Sequence, residues 1–350
     1  MNKRKQFKIG NYVISEKNPP FIIAEVGQAH KGSIKKVFKF IDELASTGIN
    51  AIKFQTHYAD HESTLDEKFR VQIKNFKTRY DYWKSVEFSK DEWLKIKKYS
   101  NKKKLIFLSS VFSLKGFNIL NKIGMPAWKI ASGEYNSNYI LKEVYKTKKP
   151  LIISTGLMNN KEIYKMHKNL NKNKIQHAFL HCVSNYPVKL NKVGLNNIES
   201  LNKKLDCPIG YSDHSGNLIV PINSMIIGAK IIEIHAKLQT NDDGPDSSSS
   251  LTINEIKNLC HFRDGIQLIK NNPINKDKLS SDLIKIKKLF SKSFALNKDM
   301  KKGSIITSDD LTFKKPGTGY DQSKIKFLLG KKLSRFVSSK VLLRSKHFKK

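Results

Sequence analysis

The stretch KIIEIHAKL (230–238) places Glu233, His235 and Lys237 on alternate positions, so a β-strand would turn a carboxylate, an imidazole and an ammonium to one face. PIGYSDH (208–214) ends on a second histidine, His214. If these segments are adjacent strands, hydrogen-bonded roughly 4.8 Å apart, the two imidazoles can share one divalent metal and leave positions open for water or substrate. Other strand-like runs end on groups suited to an anion: Lys53 and Gln55 in AIKFQT, Ser109 and Ser110 in LIFLSSV, and Lys129, Ser132 and Glu134 in AWKIASGE. Ser154 and Thr155 close LIISTG, Ser184 and Tyr186 follow HAFLHC, and Glu25 then His30 stand in FIIAEVGQAH. Lysine offers phosphate a point charge and serine a neutral donor. Singly, each group is as well explained by a structural ion pair or a hydrogen-bonded core histidine; the joint placement is what suggests a site.

Other chemistries fit less well. Ser212-Asp213-His214 is no hydrolase triad, because successive strand residues face opposite ways. No G-x-S-x-G elbow, P-loop or dinucleotide fingerprint occurs. A lysine in an apolar site can form a Schiff base, and Lys53 and Lys129 both remain candidates for that.

Positioning such groups requires elements that converge. Eight runs read as strands, at 21–27, 51–56, 105–111, 127–133, 151–156, 177–184, 208–214 and 230–238. Helical patterns fill the intervals at 33–47, 90–101, 114–122, 139–146, 161–170, 195–203 and 217–228, with a last one at 252–269. Ser113, Asn160 and Thr252 stand as N-caps, and Glu255 completes a capping box. Eight β/α repeats predict a (β/α)8 TIM barrel over residues 1–285, its active site at the carboxyl ends of the strands. Residues 57–89, with the aromatic run Tyr80 to Trp83, are too long for an idle connection and read as a rim loop. Residues 286–350 carry turn signals between short apolar runs and predict a small β-rich unit that packs on a barrel, its own or a partner's.

Lysine and arginine total 65 against 30 acidic residues, a net charge of +35, which invites a nucleic-acid reading. Only six of the cations are arginine, and the lysines are spread through the chain instead of forming one stripe. An anionic substrate is the better use of the charge, so no nucleic-acid partner is expected. Cys182, Cys207 and Cys260 form neither a disulfide framework nor a zinc knuckle. With no apolar leader and no stretch fit to span a bilayer, the expectation is a cytoplasmic protein without a membrane partner.

In order and spacing, IIAEVGQAHKGS, AIKFQT, WKIASGE, STGL, GYSDHSG, EIHAKL with GPD downstream, and KPGTGY resemble the sialic acid synthase (NeuB-like, N-acetylneuraminate synthase) family over nearly the whole chain. The resemblance implies a TIM barrel with a C-terminal antifreeze-like SAF module of β-clip type. It implies a transferase that condenses phosphoenolpyruvate with an N-acetylmannosamine-like amino sugar, giving a nonulosonic acid plus phosphate for carbohydrate and surface-polysaccharide biosynthesis. The same chemistry on a legionaminic, pseudaminic or spore-coat sugar is the alternative, and a Schiff-base aldolase the more distant one.

By motif, His214 and His235 would bind the metal, Mn2+ by preference with Mg2+ or Co2+ as substitutes. Lys53, Ser110, Lys129, Ser132, Ser184 and Tyr186 would hold phosphoenolpyruvate, Gln55, Asp246 and Lys315 the sugar, and Glu25 and Glu134 would handle protons. The module would cover the barrel of a second copy in a domain-swapped homodimer. Departures are Lys315 where many members have Arg, Ser184 where some have Asn, Ser247 where His is common, and Ile234 where Lys is frequent. Arg and Lys are not interchangeable at a bidentate contact. Ile234 alternates away from the site and should touch only packing.

Overall fold

The computed structural model of the chain describes residues 6–69, 71–73 and 75–348. The chain divides into two units, Met1–Asn272 and Pro273–Lys350, a division that falls ahead of the expected boundary at 285.

The first unit opens with a hairpin that sequence periodicity missed, β1 (Phe7–Ile9) against β2 (Tyr12–Ile14). Eight parallel strands follow: β3 (Phe21–Gly27), β4 (Ala51–Thr56), β5 (Ile106–Val111), β6 (Trp128–Ile130), β7 (Leu151–Ser154), β8 (His177–His181), β9 (Ile209–Asp213) and β10 (Ile231–Lys237). Each pairs with the next, and β10 pairs back onto β3, which closes the (β/α)8 barrel expected from the sequence. A short β11 (Ser250–Thr252) adds to β10.

Helices α1 (Ile34–Ala45), α2 (Arg79–Ser85), α3 (Lys90–Lys102), α4 (Leu114–Ile123), α5 (Asn138–Lys146), α6 (Asn160–Lys172), α7 (Asn196–Lys204), α8 (Ile219–Ile226) and α9 (Ile253–Asn271) accompany the strands. In α1, Val37, Phe40, Ile41 and Leu44 recur at helical spacing and are all buried, and the Ser33 hydroxyl caps the start by accepting from the Lys36 amide. Ser113 and Thr252 cap as expected, the latter with Glu255. At α6 the cap is Asn159 and not Asn160, because only a residue still in extended backbone can turn its side chain back to the Glu162 amide. No helix among the described residues is long and apolar enough to cross a membrane.

The strand alternation splits the barrel interior into two storeys. Ile23, Ala51, Leu108, Ala127, Ile152, Ala178, Leu180 and Ile231 form an apolar lower layer, and Phe7, Ile9 and Ile14 of the hairpin cover its floor. Two residues further along the same strands stand Glu25, Lys53, Ser110, Lys129, Ser154 and Glu233. The other face, including Ile234, belongs to the larger core against the helices, so Ile234 does pack outward.

The second unit contains α10 (Ser281–Phe290), β12 (Ser293–Leu296) antiparallel to β13 (Leu311–Lys314), and a core of residues such as Phe294, Leu296, Ile306, Leu328, Leu333 and Leu343. Helix α10 buries none of its residues within the chain. No helix was expected there from the sequence.

Gly210 faces the lower layer, where an added Cβ would collide with the Ile231 carbonyl oxygen and Leu180 Cδ2. Gly210→Ala should therefore destabilise the barrel by about 1–3 kcal/mol through overpacking. A urea midpoint equal to that of the parent would contradict a filled floor.

Candidate active site

A cleft of about 330 Å³ opens at the carboxyl ends of the strands. Its walls contain Glu25, Lys53, Gln55, Ser110, Lys129, Ser132, Ser184, Tyr186, His214, Glu233, His235 and Asp246, so most of the sequence-predicted groups converge on one space. Lys237 does not line it; its ammonium donates to the Ser247 carbonyl at 3.1 Å and ties down the loop that carries Asp246.

At the centre, Lys53 is ion-paired with Glu25 and lies 3.6 Å from Glu233 Oε1, which Lys129 also approaches at 3.6 Å. All four side chains are buried. Register explains the meeting: Glu25 sits beside Lys53, Ser110 beside Lys129 and Glu233 beside Ser212 in neighbouring strands. Lys53 donates to Ser110 Oγ at 3.3 Å, Lys129 to Ser154 Oγ at 2.6 Å, and Ser212 to Glu233 Oε1 at 3.2 Å. Burial pulls the Lys53 ammonium down to about 7, against the opposing attraction of Glu233. Burial would raise the Glu233 carboxyl, but Lys129, Lys53 and the two histidines together hold it below its ordinary range.

His214 and His235 come together as expected, with ring centroids 5.4 Å apart. His214 Nδ1 donates to the Val183 carbonyl at 2.7 Å, which points Nε2 at the cleft, and burial, with His235 as neighbour, lowers its pKa to about 3. His235 Nδ1 lies 3.6 Å from Asp246 Oδ2, and Tyr186 stacks on His214 at 3.9 Å. Two imidazoles, one of them firmly neutral and oriented by a backbone carbonyl, beside carboxylates with a buried unbonded oxygen at Glu233 Oε2, fit a divalent ion.

The Ser-Thr-Gly turn after β7 has a steric reason. A Cβ on Gly156 would strike Ser184 Oγ and Cys182 Sγ, and the Gly156 amide donates to Ser132 Oγ at 3.0 Å. Glycine thus lets Ser132 and Ser184 approach each other.

Three expected residues lie differently. Glu134 is on the turn that brings Ser132 and Gly133 to the cleft, but its own carboxylate accepts from Ser137 Oγ at 2.6 Å, and burial raises its pKa. Lys315 belongs to the second unit, exposed, with its ammonium 5.1 Å from the Phe290 ring centroid. His30 is a core residue, its ring tilted against Phe88 at 4.8 Å with Nδ1 accepting from the Gly32 amide.

The segment 57–89 does act as a rim, contributing Phe69, Val71, Ile73, Arg79, Tyr82 and Trp83. Sequence reasoning missed Gln28 and His57. Gln28 Nε2 bonds Gln55 and reaches His57 Nε2 at 2.9 Å, while His57 is sandwiched between Trp83 and Phe112 and donates through Nδ1 to Glu62 at 2.6 Å. The aromatic run Tyr80 to Trp83 was the available signal for this wall. Elsewhere, one group of three potential metal ligands among the described residues has its ligand atoms within 4.8 Å of one another, namely His167, His177 and Cys207.

Between pH about 7 and 10.5 an unfolded chain holds a proton on Lys53 that the native protein sheds, so this group's contribution to stability rises with pH across that window. Lys53→Met should flatten that rise. Urea midpoints of both proteins at about pH 7 and about pH 10 check it, and parallel pH dependences would refute the assignment.

Residues 40–273 match the model described as the NeuB family. The chain is 32% identical to the N,N'-diacetyllegionaminic acid synthase of Campylobacter jejuni, over 89% of this chain and 94% of that protein. It is 29% identical to the human N-acetylneuraminate-9-phosphate synthase, over 91% and 90% respectively. The solved N-acetylneuraminic acid (sialic acid) synthetase of Leptospira borgpetersenii, in complex with citrate, superposes with a TM-score of 0.70 at 30% identity, covering 81% of this chain and 95% of that one.

Proposed function

The chain belongs to the NeuB family, and on that premise we propose that it is a synthase of a nonulosonic acid, condensing phosphoenolpyruvate with an N-acetylated amino sugar. The observation that carries this reading is the buried pair Lys53 and Lys129, both beside Glu233 and each bonded to a serine hydroxyl, next to the paired imidazoles. That is an anion cradle abutting a site for a divalent ion. A bound dianion would favour the charged form of Lys53, which burial otherwise disfavours.

In this reading Lys53, Lys129, Ser110, Ser132, Ser184 and Tyr186 hold the phosphate and carboxylate of phosphoenolpyruvate. Gln55, fixed by Gln28, and Asp246 hold sugar hydroxyls, and Lys315 from the covering unit of a second copy would add a cation to the sugar. His214 and His235 would hold a divalent ion, Mn2+, Mg2+ or Co2+, which when bound polarises the open-chain aldehyde. The C3 carbon of phosphoenolpyruvate bonds to the aldehyde carbon, whose oxygen takes up a proton and becomes a hydroxyl. Water adds at C2 and loses one proton; the second leaves to the departing phosphate as the bond between C2 and the phosphate oxygen breaks, giving a 2-keto acid and phosphate. Glu25, lying against the Lys53 ammonium, and Glu134, raised by burial on the turn that carries Ser132 to the cleft, are the residues assigned to proton handling, with no division of the two steps between them.

The assembly we propose is a homodimer in which the second unit, as an antifreeze-like SAF module, covers a partner's barrel. Its support is α10, where Leu283, Ile284, Ile286, Leu289 and Phe290 are all exposed in a single chain.

Incubation with phosphoenolpyruvate, Mn2+ and a panel of N-acetylated hexosamines should release phosphate and give a nine-carbon keto acid identified by mass. His214→Ala and His235→Ala should each abolish metal-stimulated release, and full activity in either would remove the metal assignment. The depressed Lys53 ammonium also favours a Schiff-base aldolase as a second reading. Borohydride with either substrate should leave the mass unchanged if condensation is correct, whereas a covalent adduct at Lys53 would establish the aldolase. Deleting residues 286–350 should remove sugar turnover, and an active truncated monomer would exclude the covering module.

A further inference from the structure

We propose that His167, His177 and Cys207 form a zinc site at the floor end of the barrel that ties α6 to the sheet, outside the cleft and apart from the groups assigned to its reaction. His177 is the first residue of β8 and faces outward with Phe179 toward the helices. His167 is on the last part of α6, and Cys207 stands in the turn entering β9. Ser184, which lines the cleft, is seven residues beyond His177, or roughly 20 Å along an extended chain.

The hydrogen bonds around the two rings have the form of a metal centre's outer partners. His177 Nδ1 meets the Ile175 carbonyl at 2.9 Å, so it carries the proton and Nε2 presents its lone pair. That lone pair faces His167 Nδ1 at 2.8 Å. On its far side, His167 Nε2 lies 2.9 Å from Asp206 Oδ1, an acceptor that wants a proton on that nitrogen. Without a metal, a neutral His167 donates through Nδ1 to His177 Nε2 and accepts at Nε2 from Asn171 Nδ2 at 3.1 Å, and Asn171 also reaches Asp206 Oδ1 at 3.3 Å. A cation between the facing nitrogens takes the place of the shared proton: Nδ1 of His167 and Nε2 of His177 become ligands, the His167 proton moves to Nε2, where Asp206 accepts it, and the Ile175 carbonyl keeps the His177 N–H.

Cys207 supplies the third ligand and selects the ion. Its sulfur lies within 4.8 Å of a ring nitrogen of each histidine, and one thiolate with two imidazoles suits zinc better than Mg2+ or Ca2+. Tetrahedral zinc separates its ligands by about 3.3–3.6 Å, so the nitrogens must open by roughly half an ångström, which the terminal turns of a surface helix can supply. Binding expels the Cys207 thiol proton to solvent, and water completes the fourth position. Asp206 and His167, each partly exposed, mark the route of entry. Because the floor end of a barrel serves stability, the consequence is a firmer anchor for α6 and the β9 turn.

The test uses the full chain, freed of metal, in a His214→Ala, His235→Ala background so that the cleft pair cannot bind. One equivalent of Co2+ should give the thiolate-to-cobalt charge-transfer absorption, and zinc should raise Tm by about 5 °C at concentrations well above Kd. Near-isosteric Cys207→Ser should abolish the absorption and most of the Tm shift while folding normally, as should the partly exposed His167→Ala. Absence of the band, or its persistence in Cys207→Ser, would overturn the site. A Tm unaffected by zinc would refute the proposal equally.

Discussion

Four opposite charges buried side by side, Lys53, Lys129, Glu25 and Glu233, set the terms for the rest of the barrel. Each comes from a different strand, β4, β6, β3 and β10, so no local segment can assemble them. Removing such groups from water is costly, and the attraction between them compensates only when geometry and hydrogen bonds are nearly complete. Ser110, Ser154 and Ser212 complete part of that set. The cluster therefore depends on sheet closure, since the contact between Glu233 and the two lysines exists only when β10 returns to β3. A structure intended for stability alone would have replaced the quartet with apolar side chains. Its retention in the upper storey, over a floor made wholly of Ile, Leu, Ala and Phe, marks the upper storey as the place of chemistry.

The lower storey matters to that chemistry in its own right. Hairpin β1–β2 keeps water from the barrel's underside, so the dielectric around Lys53 stays low and its ammonium stays destabilised. An anion entering from above then meets a site whose cations gain by its arrival. The same enclosure keeps His214 neutral, the form in which an imidazole can donate a lone pair to a metal. Electrostatic preparation and apolar packing are consequently one arrangement, realised two residues apart on the same strands.

Much of this was legible in the sequence because it obeys short periods. All eight barrel strands lie within the expected runs, since strands buried on both faces read as apolar stretches broken at one end by Lys, Ser, Glu or His. The convergence of His214 with His235 followed from adjacency alone. Groups outside a period were not legible. Gln28, His57 and Arg79 sit on connections, where position depends on tertiary contacts such as the Trp83 and Phe112 sandwich around His57. Hairpin β1–β2 offers two runs of three residues, too few to establish alternation. Helix α10 escaped because its charged and apolar residues alternate in a segment with no buried partner in the chain to confirm the pattern. Cys207 looked inert for a related reason: a metal centre without C-x-x-C spacing is assembled by strand order, and His167 and His177 are forty and thirty residues away in sequence.

Strand β8 shows how one element can serve two ends differently. Its inward residues, Ala178 and Leu180, continue through Cys182 to Ser184 at the cleft, while its outward residues, His177, Phe179 and His181, face helices. Cys182 Sγ contacts Ser132 Oγ at 3.2 Å, so the upper part of that line positions hydroxyls. At the start of the strand, His177 meets α6 and the β9 turn, which no reacting group approaches. A shift of α6 would move the loop between β7 and α6 that carries Gly156, and with it the spacing of Ser132 and Ser184. Holding the helix at its floor end is thus a way of fixing the cradle at the other, through a rigid helix instead of through direct contact.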